Sequence, residues 1–267
     1  MIDRVGVSSG IKRKCGATLR HSWLDKCAQH IEQELNQQQA LASPASSQLP
    51  LEAQIRLVYE QLLNSEISES CTPALAVNPT TDTVSEMTST PPGTFLQIQE
   101  IMDIGVSKHA MWEALKEKED FEQRGIRPSY LPATTQEQED NDVYTNATQS
   151  TQGPRSTQPA TQAGAQTGGS DEREPKIPRS MLKLTLTDGK ARIPAIEMAP
   201  ILHQLHVELP IGTKVLVTPA QQILEPTGTL CLHPASIRVL GGRPPQYAQY
   251  TLRKRLEKLL KIEQPRA

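Results

Sequence analysis

The sequence predicts a mixed α+β, mainly β fold. A small helical N-terminal region precedes a five- to six-stranded barrel, which a long insertion interrupts after its first strand, and a helix closes the chain. Three observations carry this reading. Apolar residues recur at helical spacing over 22–40 and 50–64. Short runs of strand character lie at Thr94–Ile104 and from Met181 onward, with no alternation of strands and helices. Between them lies Pro132–Pro175, a stretch whose only large apolar side chains are Val143 and Tyr144.

Residues 1–19 form an uncertain basic segment, because Gly6, Gly10 and Gly16 are too many breakers for a helix to be assigned. Ser22 is a suitable N-cap, and Trp23, Leu24, Cys27, Ile31 and Leu35 then mark one helical face. After a loop with Ser43, Pro44, Ser46 and Ser47, a second helix carries Leu51, Ile55, Val58 and Leu62. Together, 20–64 make the N-terminal helical region. Residues 65–93, rich in Ser, Thr and Pro, read as a linker.

The barrel, with its insertion, is expected over 94–243. In "TFLQIQEIMDI" the apolar alternation slips near Gln99–Glu100, which predicts a bulge. Ser107 caps a helix over 108–124 with Met111, Trp112, Leu115 and Phe121 as its apolar residues, and Gly125 ends it. The insertion runs over 107–179. Its part from 132 to 175 buries too little apolar surface to offset ordering entropy, and is expected to be disordered. As a flexible coil those residues would have ends ~35–40 Å apart. "MLKLTLTDGKARIPAIEM" (181–198) is a hairpin turning at Asp188-Gly189, with Leu182, Leu184 and Leu186 facing inward. Pro194 suggests an edge or a bulge. Further strands are expected at Lys214–Thr218, Gly228–Leu232 and Ser236–Leu240, ended by Gly241-Gly242. A C-terminal basic helix is expected within 244–267, over about Gln246–Ile262, with Leu252, Leu256 and Leu259 as its stripe.

Composition narrows the function classes. Hydrophobic residues are 36% and aromatic ones 3% of the chain, so apolar mass must sit in islands. From Ile177 to Ala267 there are 13 basic and 6 acidic residues, a local charge of +7 within an overall −2. That imbalance points to an anionic or acidic partner for the C-terminal third. Cys15, Cys27, Cys71 and Cys231 form no CxxC pair, which argues for free thiols in a reducing compartment. No apolar stretch is long enough for a membrane span or a secretion signal, so neither is expected.

Catalytic motifs are absent: no phosphate-binding glycine loop, nucleophile elbow or HExxH occurs, and no enzyme is expected. His203 and His206 lack a third ligand nearby and read as loop histidines, so no metal or cofactor is expected. Small barrels that bind single strands need a positive groove and aromatic platforms, the latter worth ~1–3 kcal/mol per base. Lys183, Lys190, Arg192 and Arg238 supply charge for weak phosphate contacts, yet no aromatic residue lies between Tyr144 and Tyr247. Direct single-stranded DNA binding is therefore the alternative reading, and a disordered adaptor without a barrel the third. For Trp112, Leu115 and Phe121 two readings stand level, partner anchors and helix residues folded back on the barrel.

Six stretches, taken in order, resemble the RecQ-mediated genome instability protein 1 family: "SWLDKCAQHIEQE" (22–34), "VYEQLL" (58–63), "FLQIQEIMDIGVS" (95–107), 181–198, "LPIGTKVLV" (209–217) and "IRVLGG" (237–242). The resemblance implies a helical region followed by an OB-fold barrel with a long insertion between strands 1 and 2. It further implies a non-catalytic nuclear subunit that acts with topoisomerase III and a RecQ-family helicase to dissolve linked DNA in recombination, replication and repair. In that family the insertion enters the topoisomerase gate. The matching anchors would be Met111, Trp112, Leu115 and Phe121, and Lys214 would lie on the partner-facing surface. Longer members carry a second OB domain. This sequence ends before one, so the small OB partner of that domain is not expected.

Overall fold

The computed structural model describes residues 1–41, 49–77, 84–87, 92–125, 176–218, 223–224 and 228–261. The stretch expected to be disordered, 132–175, lies outside the described residues. Two compact units are present. One comprises Met1–Leu115 with Ile177–Ala267, and the other Lys116–Lys176.

The chain begins with helices α1 (Arg4–Cys15), α2 (His21–Leu41) and α3 (Leu51–Asn64). α1 occupies most of residues 1–19, the segment whose structure is uncertain from sequence. Its N-terminus is capped by Asp3, whose carboxylate accepts from the Gly6 N–H at 3.0 Å. Gly10, which looked like a breaker, is a contact point. A Cβ there would lie 2.4 Å from Cδ1 of Ile55 on α3, so a larger residue would force the Ile55 side chain to move. The helix-propensity cost, about 1 kcal/mol, is offset because Val7, Ile11 and Cys15 are fully buried beside it. Leu24, Ala28, Ile31, Val58 and Leu62 complete this small core.

The segment read as a linker, 65–93, also folds in part. It contains the short helix α4 (Ile67–Ser70) and an antiparallel pair, β1 (Leu75–Val77) and β2 (Val84–Met87). Leu75 and Val84 are buried in the core of the main sheet, which the Ser/Thr/Pro-rich composition around them concealed.

The main sheet is built from β3 (Thr94–Asp103), β4 (Leu182–Thr187), β5 (Arg192–Glu197), β6 (Lys214–Val217), β7 (Ile223–Leu224), β8 (Thr229–Leu232) and β9 (Ile237–Gly241). Their spatial order is β7-β8-β5-β4-β3-β6-β9, antiparallel except for β5 with β8. β3 therefore pairs with β4 across the whole insertion. The register slips between Ile98 and Glu100, where the sequence pattern slips. β8 joins β5 only from Ala195, so Pro194 stands just outside the doubly paired region.

Topology makes the sheet curl. β8 and β9 lie five strand spacings apart, ~24 Å if the sheet were flat. Only residues 233–236 connect them, and that link reaches at most ~17 Å. The sheet must bend until its two ends approach, and it forms a curled half-barrel around Leu96, Ile98, Leu184, Leu186, Ile193 and Val215. No ladder pairs β8 with β9 among the described residues, so the cylinder expected from sequence is not sealed by hydrogen bonds. The chain ends in a 3₁₀ turn (Pro245–Tyr247) and α6 (Leu252–Leu260), shorter than the helix expected from Gln246. Thr251 caps α6, and the expected residue Ile262 lies outside the described residues.

The outer face of β3 and β6 is covered by the helical region. Phe95 enters the helical core. Gln97, fully buried, accepts from the Ile67 N–H at 3.2 Å and donates to the Glu66 carboxylate at 3.0 and 3.1 Å. The hairpin turn docks here too. Asp188 closes its own turn by accepting from Lys190 and Ala191 N–H groups, at 2.9 and 2.7 Å. Its second oxygen accepts from Ala74 and Leu75 N–H groups at 2.9 and 2.8 Å, which fixes the start of β1. Gly189 has φ +94° and faces Ser68 of α4, where a Cβ would come within 2.5 Å of the backbone.

Candidate functional site

The root of the insertion is held by two carboxylates, each 2% exposed. Asp103 ends β3. Its Oδ1 accepts from the Gly105 and Val106 N–H groups, at 2.9 and 3.0 Å, on the outgoing chain. Its Oδ2 accepts from Ser180 N–H at 2.6 Å on the returning chain. One side chain thus ties both stems of the insertion. Glu197, at the end of β5, accepts from Leu182 N–H at 3.1 Å, from Leu202 N–H and from the Arg179 guanidinium. Charge-assisted bonds of this kind are what make a buried carboxylate tolerable.

An apolar row borders this root. The register pairs Asp103 with Leu182 and Lys183 with Ile196, which sets Ile104, Met181 and Met198 side by side across three strand ends. Ile104 N–H donates to Met181 O at 2.8 Å. Cross-strand neighbours share a face. Their exposures are 51%, 41% and 38%, and Ile201 close by is 43% exposed. Single exposed apolar residues are ordinary, but a contiguous row marks an interaction surface.

The residues singled out from sequence fall elsewhere. α5 (Lys108–Gly125) is capped by Ser107, whose Oγ accepts from Ala110 N–H at 3.1 Å. Met111 and Leu115 belong to the core of the curled sheet, which for Leu115 is the fold-back reading of the two that stand level from sequence. They are not available as anchors. Trp112 is half-buried against the same core, with the Arg253 guanidinium 5.5 Å from its ring centre. Phe121 lies in the second compact unit and is half-buried.

Lys214 also departs from expectation. Rather than facing a partner, it is fully buried in the seam between sheet and helices. Its ammonium donates to the carbonyls of Ser65, Gly212 and Leu63 at 2.7, 3.0 and 3.3 Å. Burial lowers its pKa from 10.5 to about 8. Lys183, Lys190, Arg192 and Arg238 are exposed but scattered: Arg238 is on β9, separated from β4 by β3 and β6. His203 and His206 are both exposed between β5 and β6. Buried Cys15, Cys27 and Cys71 have thiols pushed up to about 11, 11 and 12 by desolvation, which keeps them protonated at neutral pH.

Sequence reasoning passed over Asp103, Glu197, Ile104, Met181 and Met198. Each is ordinary for a strand end. Only the register across the insertion, joining Asp103 with Leu182, makes them a site.

Comparison with known proteins places this geometry in context. A family model described as RMI1, N-terminal OB-fold domain matches residues 76–255, and one described as RMI1, N-terminal helical domain matches residues 11–70. RecQ-mediated genome instability protein 1 of Xenopus laevis is 27% identical over 242 residues, which is 90% of this chain and 34% of the relative. The chain thus spans about a third of the length of that curated relative. With helices and curled sheet occupying the two matched regions in the same order, the chain belongs to the RMI1 family, a family named for genome instability.

Proposed function

We propose that this chain is a non-catalytic, nuclear accessory subunit that binds topoisomerase III and a RecQ-family helicase and promotes decatenation of recombination intermediates. Family membership supports the setting, and the relative's name ties it to RecQ. The observation that carries the reading is the insertion root: two buried carboxylates fix both stems, and an exposed apolar row stands beside them. In this reading the row docks on the topoisomerase, and the clamp sets where the insertion leaves the barrel toward a moving gate. The partner performs the strand cleavage. This chain supplies binding energy and orientation.

Two variants test the division of labour. Ile104→Asp with Met181→Asp places charges on the apolar row, and co-purification with topoisomerase III is expected to be lost while the circular dichroism spectrum is kept. Deleting 126–175 leaves Met111 and Leu115 in the core, and is expected to impair decatenation more than binding. Undiminished co-purification of the first variant, or unaltered decatenation by the second, would overturn the assignment.

A further inference from the structure

A cleft of about 600 Å³ lies between α6, the 3₁₀ turn before it and the bulged part of β3. Its floor is apolar, with Ile101 and Met102 from β3 and Ile211 from the loop before β6. Tyr250 and Leu259 form its rim, and both are unusually open for large apolar side chains, at 48% and 41% exposed. Leu259 is the residue of the predicted α6 stripe that fails to enter the core, whereas Leu252 and Leu256 are buried.

The same rim is cationic. Lys254 and Lys258 line the cleft one helical turn apart, about 6 Å along α6. Both are exposed, and neither makes an ion pair with another described residue. The one acid of α6, Glu257, is engaged by Arg253 at 3.0 Å. Arg255 donates to the carbonyls of Ile101 at 2.7 Å and of Val207, which pins α6 to the sheet and gives the cleft a rigid wall. The lining contains one acid, Glu100, which accepts from the Thr185 hydroxyl at 3.2 Å.

We propose that this cleft docks an acidic peptide segment of a partner protein, its large apolar side chains on the floor and its carboxylates on Lys254 and Lys258. Charge complementarity selects the occupant, and the aliphatic floor distinguishes it from a nucleic acid. Bases need accessible ring faces. Here Tyr247 and Tyr250 are tilted 52° to each other at 6.0 Å, so their faces do not line up as a platform for successive stacked bases. The remaining floor is aliphatic. Apolar contacts at the centre with charges at the rim are the usual division in a peptide groove.

The test uses the full chain and a fluorescein-labelled 15-residue peptide of Asp, Glu, Phe and Leu, with the apolar residues at helical spacing. Controls are the same peptide with Ser at its apolar positions and a 20-nucleotide oligo-dT. Fluorescence anisotropy is expected to show binding of the first probe only. Lys254→Glu with Lys258→Glu should weaken it about tenfold or more, and Leu259→Asp should weaken it similarly. An acid at position 254 suits the first turn of α6, and the one at 258, unfavourable for the helix dipole, is exposed, so retention of the fold is checked by circular dichroism. Binding that these variants leave unchanged, equal binding of the Ser-containing control, or preferred binding of oligo-dT would each overturn the proposal. So would a concentration-dependent dimer in sedimentation that Leu259→Asp abolishes, since the occupant would then be a second copy.

Discussion

Inside the curled sheet, Leu96, Ile98, Leu184 and Leu186 meet aliphatic neighbours, held by shape and by exclusion of water. On the seam against the helices, a few ångströms away through the same strands, Lys214, Gln97 and Asp188 are equally dry. They are held by directed hydrogen bonds to backbone groups. The difference is one of information. Dispersion contacts add up in any arrangement that fills the volume, so they stabilise without fixing an angle. Three carbonyls converging on one ammonium are satisfied in a single orientation. The interior holds the sheet together, and the seam sets how the helical region sits on it.

Four measurements sharpen or break this contrast. Leu184→Ala should cost about 3–4 kcal/mol in denaturant unfolding, the usual range for a cavity at a fully buried leucine, while Leu184→Met should cost under ~1 kcal/mol. Lys214→Met should cost about 2–3 kcal/mol, because it leaves buried carbonyls without their donor. Lys214→Arg should not restore that loss, since a planar guanidinium fork does not match three convergent acceptors. If Lys214→Arg proves as benign as Leu184→Met, the seam has no more directional character than the core. Asp188→Ala should cost about 1–2 kcal/mol, with amide exchange accelerated at Ala74 and Leu75.

The smallest effect is in pH. Lys214 titrates near 8 in the folded chain and near 10.5 when unfolded. Between these values the unfolded chain carries a proton the folded one lacks, so this group's contribution to stability rises with pH across that window. The buried thiols act oppositely above about pH 9, because their folded pKa values are raised. The signal is therefore expected as a difference between wild type and Lys214→Met from pH 8 to 9. Parallel stability curves for the two would contradict it.

What could be read in the sequence follows the same division. The Leu182–Leu184–Leu186 alternation and the slip at Gln99 expose the core and the bulge, because periodicity reports which side of a strand faces apolar surroundings. The seam was hidden for the same reason. A lysine or glutamine on the outer side of a strand reads as solvated, and nothing local reveals that a helix covers it. α1 is hard to read because Gly10 lies inside the helix against Ile55, and only Gly16 ends it, as a left-handed C-cap. The candidate site was least legible of all. Sequence leaves Leu115 level between a partner anchor and a residue folded back on the barrel, because the core that receives it and Met111 is assembled from strands far along the chain. Ile104 and Met181 acquire meaning only when paired.

That pairing has an engineering consequence. Since Ile104 and Met181 already meet by a backbone hydrogen bond, and the Asp103 carboxylate accepts from Gly105 and Ser180 beside them, the barrel closes its own loop before the insertion is counted. Beyond the turns of α5 whose Met111 and Leu115 fill the core, whatever is spliced between the two stems then behaves as an exchangeable cassette. Its length and composition are free to drift, while the address at which it is presented stays constant.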